Sequence, residues 1–140
     1  MKVYNGEGMI MGRLASKVAK DALLGEEVYI VNCEKVMISG KRENSIQKQQ
    51  IKRERVGYPL KSQHHSRMPE RVVRRAVRGM LPWKNDRGKV AFKRIMCYRG
   101  IPKELATEKL LVLEDAKASK LPNLSYITIS DMCKALGGKQ

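Results

Sequence analysis

The sequence predicts an α/β domain built on parallel β-strands, and three features of the chain support this fold class. At 140 residues the chain has the length of one domain. A helical pattern of apolar residues over positions 13–24 separates two strand-like segments at positions 2–5 and 28–32. The second segment is a continuous β-branched run, which is typical of a strand covered on both faces in a parallel sheet. Strand, helix and strand together predict a βαβ unit with a right-handed crossover.

The first predicted helix has a wide apolar face. Its apolar residues recur four positions apart in two adjacent rows, Leu14, Val18 and Ala22 in one and Ala15, Ala19 and Leu23 in the other. Gly6, Gly8 and Gly12 indicate a loop before the helix. Gly25 follows it and is typical of a C-terminal stop.

Residues 41–55 predict a polar helix that Ser39 can cap. Ile46 and Ile51 are its only large apolar residues, so it buries little surface against its own domain. Its amides, Asn44, Gln47, Gln49 and Gln50, are interleaved with six cations, Lys41, Arg42, Lys48, Lys52, Arg53 and Arg55. Amides and cations both donate to phosphates, sugars and base edges. We therefore favour contact with RNA over the alternative, a free-standing solvated helix.

The next helix is the sharpest functional feature of the sequence. After an irregular basic loop at residues 57–68, Pro69 is well placed to begin a helix that covers residues 70–81. At ~100° per residue, four arginines fall within an arc of roughly 100°: Arg71, Arg74, Arg75 and Arg78. The opposite side carries Val72, Val73, Ala76, Val77 and Met80. Guanidinium groups match phosphate oxygens in pairs, and Glu70 is the only acid of this helix, so the pattern favours nucleic-acid contact over a plain solvated face.

Two further strands and two short helices are predicted in the rest of the chain. The strands lie at residues 94–98, ended by Gly100 and Pro102, and at residues 126–129. A last helix at residues 132–136 is closed by a pair of glycines, Gly137 and Gly138. The candidate caps are Asp86 for a helical turn before the third strand and Ser130 or Asp131 for the last helix.

Positive charge is concentrated in the middle of the chain. The net charge is +15, and residues 41–94 hold 17 basic and 4 acidic side chains while the other 86 residues hold 12 and 10. Such a chain repels itself unless a polyanion neutralises it: nucleic acid, an anionic membrane surface or an acidic protein. The alternative is a merely soluble basic protein. The segments on either side of this basic block are near-neutral, as in an ordinary fold. We therefore predict one domain, residues 1–140, in which the basic block is not a separate domain.

Seven further basic residues of this block complete the candidate RNA-binding set: Lys61, His64, His65, Arg67, Lys84, Arg87 and Lys89. His64 and His65 are adjacent, and a metal site needs more ligands than these two. Stacking on RNA, or simple solvent exposure, is the better interpretation. The sequence therefore predicts no metal site.

Other features of the sequence exclude several classes of protein. No apolar run approaches the ~20 residues of a membrane span, and the N-terminus lacks the apolar segment of a signal peptide. We therefore expect no membrane partner. Cys33, Cys97 and Cys133 are odd in number, far apart and set among apolar neighbours. This pattern indicates small buried residues in a reducing cytosol, without a disulfide framework or zinc spacing.

A rival pattern suggests a nucleotide-binding enzyme. Gly6, Gly8 and Gly12 follow a strand and open a helix, and Glu34 ends the second strand, which imitates a dinucleotide-binding fingerprint. The glycine spacing is one residue too long, however, and the chain is too short for two mononucleotide halves and a substrate domain. The run from Ser39 to Lys41 also lacks the upstream glycine of a P-loop. No nucleophile and base, or paired carboxylates, stand at a telling spacing, so we predict neither catalysis nor a cofactor.

The chain resembles the ribosomal protein L13 family over about residues 3–138. The motifs that carry the resemblance are Gly12-Arg13-Leu14-Ala15-Ser16, Val31-Asn32-Cys33-Glu34, Ile38-Ser39-Gly40-Lys41, Val77-Arg78-Gly79-Met80-Leu81-Pro82, Arg87-Gly88-Lys89 and Ile95-Met96-Cys97-Tyr98-Arg99-Gly100. The bacterial members' N-terminal extension and His-rich C-terminal segment are absent, which favours the archaeal or eukaryotic form.

The resemblance implies a three-layer α/β/α fold with a four-stranded parallel sheet and a basic helical insertion. It also implies a cytoplasmic protein of the large ribosomal subunit that binds large-subunit rRNA, meets neighbouring ribosomal proteins and acts early in assembly. The family supplies no catalytic residues, and the glycine loop then becomes turn geometry. Two other hypotheses stay open at this point: a small nucleotide-binding enzyme, and a DNA-binding protein, which charge alone does not exclude.

Overall fold

The computed structural model describes residues 1–55, 57 and 65–138. In chain order the strands are β1 (Lys2–Asn5), β2 (Val28–Val31), β3 (Met37–Ser39), β4 (Ile95–Cys97), β5 (Leu110–Leu111) and β6 (Tyr126–Thr128). The helices are α1 (Met11–Leu23), α2 (Arg42–Glu54), α3 (Pro69–Gly79), α4 (Asp86–Lys93) and α5 (Ile129–Ala135). Short 3₁₀ turns occupy Cys33–Lys35, Lys103–Leu105, Glu114–Ala116 and Ala118–Lys120.

Four strands form a parallel sheet in the order β4-β2-β1-β5. Val3 of β1 lies between Tyr29 of β2 and Leu110 of β5, and Tyr29 lies beside Met96 of β4. The predicted βαβ unit is confirmed, because β1 and β2 pair in parallel on either side of α1. The α/β class and the four-stranded parallel sheet are confirmed with it.

The fourth predicted strand forms, but it lies outside the parallel sheet. β6 pairs antiparallel with β3, with Ile127 opposite Ile38, in a separate two-stranded sheet. The fourth strand of the parallel sheet is β5, whose two residues are too few to show a period of two. Neither β3 nor β5 was predicted.

The predicted helix caps are wrong in detail. Ser39 ends β3, and α2 begins beyond it without a side-chain hydrogen bond at its cap. Asp86 is the first residue of α4 and not the residue before it. In α5 the capping group is Thr128, whose Oγ1 accepts a hydrogen bond from the Asp131 backbone N–H at 3.1 Å. The α5 helix therefore begins three residues earlier than predicted.

The main core lies between one face of the parallel sheet and the helices. The two apolar rows of α1 meet the inward side chains of β1 and β2, and Leu14, Val18, Val28 and Ile30 are fully buried. Because α3 and α4 pack against the same helix α1, one continuous apolar cluster joins the sheet to the basic part of the chain.

A buried carboxylate ties α1 to the first strand. The Tyr4 hydroxyl donates to Asp21 Oδ2 at 2.5 Å, and the ammonium groups of Lys2 and Lys17 lie within 3.4 and 3.8 Å of Asp21 Oδ1. Burial alone would raise the pKa of Asp21, but the hydrogen bonds from Tyr4 and Lys2 outweigh it and lower that pKa. Asp21 therefore stays ionised and partnered inside the fold.

The opposite face of the parallel sheet has a thinner cover. Val3 and Val31 pack there on Leu105, which belongs to the 3₁₀ turn Lys103–Leu105. Beside them the rings of Tyr29 and Tyr98 stack with centroids 6.3 Å apart. The third layer of the α/β/α arrangement is thus a short turn, and the five helices of the described residues contribute to the main core or pack beside it.

The three cysteines are free and buried, as the sequence predicted. Cys33 and Cys97 belong to the main core with Cys133 of α5. Burial raises the pKa of the Cys133 thiol to about 11, so this group is uncharged at neutral pH. These side chains act as small apolar residues.

A charge in the core face of α3 should unfold the protein. Val77 is fully buried, and Val77→Asp leaves a carboxylate without a partner, which should lower the free energy of unfolding by about 3–5 kcal/mol. Val90 of α4 is 48% exposed, and the matched variant Val90→Asp should stay within about 0.5 kcal/mol of the parent. Urea titration followed by circular dichroism measures both. Equal stability of the two variants would show that α3 does not pack as described.

Candidate nucleic-acid interface

Helix α3 separates an apolar face from a cationic one. Pro69 occupies its first turn, and Val73 and Val77 are fully buried in the main core. On the outer side, three arginines are exposed: Arg71, Arg75 and Arg78. The predicted two-sided helix is therefore present, and its packing face fixes the direction in which these guanidinium groups point.

Two residues of the helix predicted at residues 70–81 lie away from their predicted positions. Arg74 is half-buried and not on the exposed face, and Met80 is 44% exposed although the periodicity placed it on the core side. Met80 follows the last helical residue, so the helical spacing no longer applies to it. Arg74 is drawn inward by an aromatic ring.

Two arginines and two aromatic rings form a chain of contacts beside α3, with one guanidinium on each ring and the rings next to each other. The Arg74 guanidinium lies 4.6 Å from the centroid of the Phe92 ring, and the Arg78 guanidinium lies 4.2 Å from that of Trp83. Phe92 and Trp83 meet edge to face, with centroids 5.0 Å apart and planes at 88°. Each guanidinium is attracted to the negative face of a ring, which restricts its motion. We call these four residues the arginine–aromatic stack.

A glycine of α4 makes the arginine–aromatic stack possible. A Cβ atom on Gly88 would lie 2.2 Å from the carbonyl oxygen of Pro82 and 3.1 Å from the backbone nitrogen of Trp83. Only glycine therefore lets the turn that carries Trp83 approach α4 this closely. This approach brings Trp83 against Phe92, which lies on the next turn of α4.

Helix α2 has no fully buried residue and is held by contacts with the C-terminal part of the fold. Arg53 Nη1 donates to the Leu136 carbonyl at 3.0 Å, and Arg67 Nη1 donates to the Gly137 carbonyl at the same distance. These carbonyls lie at the end of α5, where unpaired acceptors favour cations. Arg53 and Arg67 therefore have intramolecular partners, and their predicted role in RNA contact stays a prediction.

The other predicted site residues are distributed along the basic block. Five of them are exposed and have no ion pair within the described ranges: Lys41, Arg42, Lys48, Lys52 and Arg55. Lys84 and Arg87 are exposed near α4, and Lys89 pairs with Asp86 at 3.0 Å. Lys61 and His64 lie outside the described residues. His65 is half-buried between α2 and α3, in a cleft that also contains Lys52, Arg71 and Arg75.

The sequence did not reveal the partners that orient the arginines. Trp83 lies beyond the end of α3, where helical spacing does not apply, and the turn at Pro82 brings it back to Arg78. Glu70 was noted only as the one acid of the helix. Its carboxylate accepts from Arg99 Nε at 2.6 Å and from Arg99 Nη2 at 3.3 Å. This ion pair fastens the N-terminus of α3 to the segment that follows β4.

Comparison with known proteins identifies the family. Residues 1–104 match the family model described as ribosomal protein L13. The chain belongs to the ribosomal protein L13 family. It is 42% identical to the large ribosomal subunit protein uL13 of Methanococcoides burtonii and 39% identical to that of Methanosarcina barkeri, over 99% of each chain. The protein of the same name from Methanocaldococcus jannaschii is 41% identical, also over 99% of both chains. These archaeal relatives agree with the archaeal or eukaryotic form that was favoured because the bacterial members' terminal segments are absent.

In this member of the L13 family the glycine loop is structural. The Ile10 backbone N–H at the start of α1 donates to the Ala116 carbonyl at 2.8 Å. A Cβ atom on Gly6 would lie 2.6 Å from Cγ2 of Val36, so this glycine permits close packing. The Glu34 carboxylate, the acid of the rival fingerprint, accepts from the Gly100 backbone N–H at 3.1 Å. The Ile10 N–H and the Glu34 carboxylate are thus engaged within the L13-family fold, and the nucleotide-binding alternative is not supported.

Two further findings concern the described part of this L13-family chain. It holds no cluster of three or more His, Cys, Asp or Glu side chains that could bind a metal ion. None of its helices combines the length and the apolar character needed to cross a membrane.

The Glu70–Arg99 ion pair should make the stability of this L13-family protein depend on pH. Partial burial alone would raise the pKa of Glu70, but the hydrogen bonds from Arg99 outweigh it and lower that pKa. A lowered pKa stabilises the fold above the unfolded value of about 4.3, and this contribution is lost as the pH falls through the folded value.

Glu70→Gln should therefore cost about 1 kcal/mol at pH 7, and this cost should be smaller at pH 3, because the carboxylate begins to be protonated. Glu104 is exposed, and Glu104→Gln is the matched control, which should change little at either pH. Urea titrations at the two pH values give the free energies of unfolding. A difference between Glu70→Gln and the parent that persists unchanged near pH 3 would contradict the ion-pair explanation.

Proposed function

We propose that the protein is a structural component of the large ribosomal subunit that binds large-subunit rRNA and supports subunit assembly. Membership of the L13 family supports the ribosomal role. The observation that carries the RNA contact is the outer face of α3, where Arg71, Arg75 and Arg78 are exposed on a helix fixed by the core. Its partners would be large-subunit rRNA and neighbouring ribosomal proteins, in the cytoplasm.

The mechanism follows from charge on a rigid support. Cations that meet RNA phosphates release condensed counterions, which favours association. The parallel sheet and α1 hold α3 in one orientation, so its guanidinium groups keep a fixed spacing that suits the shape of a folded RNA. Recognition would then rest mainly on phosphates and 2′-hydroxyl groups. In this proposal the chain acts as one domain, with residues 41–94 as its RNA-binding block.

The role proposed is not enzymatic, and it requires no cofactor or small-molecule substrate. The L13 family implies a structural role, and the glycine loop is engaged in internal hydrogen bonds. Calorimetric titration with NAD(P) and ATP should detect no specific binding below millimolar concentration. Saturable binding that Gly8→Val abolishes would revive the nucleotide-binding enzyme.

Removing charge from the outer face of α3 should weaken rRNA binding without unfolding the protein. The test variant replaces Arg71, Arg75 and Arg78 with Gln, which preserves helix propensity. The matched control replaces Lys103, Lys109 and Lys120 with Gln, because these exposed residues lie outside the basic block. Filter binding to large-subunit rRNA should show a large loss only for the first variant. Equal loss in both would indicate that net charge, and not this surface, determines binding.

The salt dependence of binding should show how many RNA phosphates the protein contacts. If about eight phosphates are neutralised, log K should fall against log salt with a slope on the order of −6 to −7. The triple Arg→Gln variant should reduce this slope by about 2–3. The measurement is filter binding between low and moderate salt, with duplex DNA as the competitor. A slope near zero, or stronger binding to the DNA, would contradict the proposal.

The arginine–aromatic stack should contribute to affinity without changing the slope. Trp83→Leu removes the ring that orients Arg78 but leaves every charge in place. We expect rRNA affinity to fall by about three- to tenfold, within the range of cation–π energies, at an unchanged salt slope. Circular dichroism checks that the variant is folded. A changed slope with unchanged affinity at low salt would show that the stack does not position a phosphate contact.

A further inference from the structure

The cleft between α2 and α3 combines features that a plain cationic surface lacks. It is a concave space of about 260 Å³. Its lining includes the exposed cations Lys52 and Arg71 and the half-buried aliphatic side chains of Val72 and Ala76. The amide of Gln49 and the half-buried ring of His65 also line it. The lining thus offers charge, hydrogen bonds and an apolar surface together.

Among the described residues, the charged side chains that line the cleft are all basic. Lys52 and Arg71 form no salt bridge in residues 1–55, 57 and 65–138, although the Glu70 carboxylate is near enough to feel the charge of Arg71. A concave site with uncompensated cations concentrates the field and attracts an anion. The anion expected on an RNA-binding surface is a phosphate.

The lining and the size of the cleft indicate which chemical group binds there together with the phosphate. An anion alone would not need the aliphatic walls formed by Val72 and Ala76, whereas an unstacked base can lie on such surfaces and hydrogen-bond through its edges. The volume of about 260 Å³ falls just below the ~300–1,000 Å³ of drug-sized ligand sites, which suits one small group. Arg75 lines this cleft and also the neighbouring hollow beside Trp83. The sugar-phosphate backbone of an RNA can therefore continue along α3 from one to the other.

We propose that the cleft between α2 and α3 binds one nucleotide turned out of an RNA helix, with its phosphate held by Lys52 and Arg71 and its base against Val72 and Ala76. This inference rests on the proposed function, because the nucleotide belongs to the RNA that the outer face of α3 contacts. Gln49 and His65 provide the groups that hydrogen-bond to the edge of the base or to the sugar.

A glycine provides a way to fill the cleft without altering charge. Gly79 lines the cleft, and a Cβ atom there would meet nothing within 4 Å. Gly79→Leu therefore places a side chain in the open space and does not lower helix propensity. Gly12 is the matched control, because it lies in α1 outside the cleft lining and its Cβ would also meet nothing within 4 Å.

Gly79→Leu should weaken binding to large-subunit rRNA on the order of tenfold or more, the scale of losing one stacked base. Its salt slope should change by no more than the single phosphate of that nucleotide, about 0.7–0.9. Gly12→Leu should bind as the parent does. Failure of the parent protein to bind rRNA would overturn the proposed function itself. Parent-like binding by Gly79→Leu, with the parent binding normally, would overturn the nucleotide site alone.

The pH dependence of binding tests whether the nucleotide lies beside His65. Burial, followed by the charges of Arg75, Lys52 and Arg53, lowers the pKa of His65 in the free protein. These are the charged groups that face the ring from α2 and α3. A phosphate in the cleft would favour the protonated ring and raise that pKa, so binding would take up a proton.

Affinity for rRNA should therefore increase as the pH falls from about 8 to about 6, by at most roughly tenfold per pH unit for one proton. His65→Gln should lose this dependence while retaining salt-dependent binding through α3. Filter binding at constant ionic strength measures both proteins. The same pH dependence in His65→Gln and in the parent would overturn the placement of the phosphate in this cleft.

Discussion

The packing of α3 on α1 is the contact on which both the fold and its basic surface depend. Val73 and Val77 lie in the same apolar cluster as Leu14 and Val18 of α1. A helix held through one face cannot rotate, because rotation would expose these side chains to water. The packing of α3 in the core therefore fixes the direction in which the exposed arginines of this helix point. Apolar burial thus determines the geometry of a surface whose chemistry is electrostatic.

The acids inside the fold explain why so much positive charge is left outside. Asp21 is buried against Tyr4 and pairs with Lys2. Glu34 accepts from the Gly100 backbone, and Glu70 pairs with Arg99 at the start of α3. These carboxylates stabilise local structure, and within the described residues none of them forms an ion pair with Arg71 or Arg78. Most of the net charge of +15 therefore lies in residues 41–94, which hold 17 basic and 4 acidic side chains, at some cost in self-repulsion that a polyanionic partner would remove.

Periodic elements could be predicted from the sequence, whereas contacts made across turns could not. The helix α1 and the faces of α3 follow from apolar spacing, and β1 and β2 follow from short β-branched runs. The two-residue strand β5 has no period to detect, and β6 finds its partner β3 only in the folded chain. Family resemblance supplied the sheet of four strands, which the residues alone did not specify. The basic face was found by counting charges, but the rings that orient Arg74 and Arg78 were not.

Under the proposed function, the arginine–aromatic stack would allow residues with no charge to affect RNA affinity. Gly88 lets the Pro82 turn approach α4, and this approach brings Trp83 to Phe92 and hence beneath Arg78. A guanidinium that is held on a ring loses less conformational entropy when it meets a phosphate than a free one does. The number of cations sets how steeply binding responds to salt, and their prior orientation sets its strength at any one salt concentration. Under the proposed function, RNA affinity would therefore depend on Gly88 as well as on the arginines, because this glycine determines how closely two backbone segments can approach.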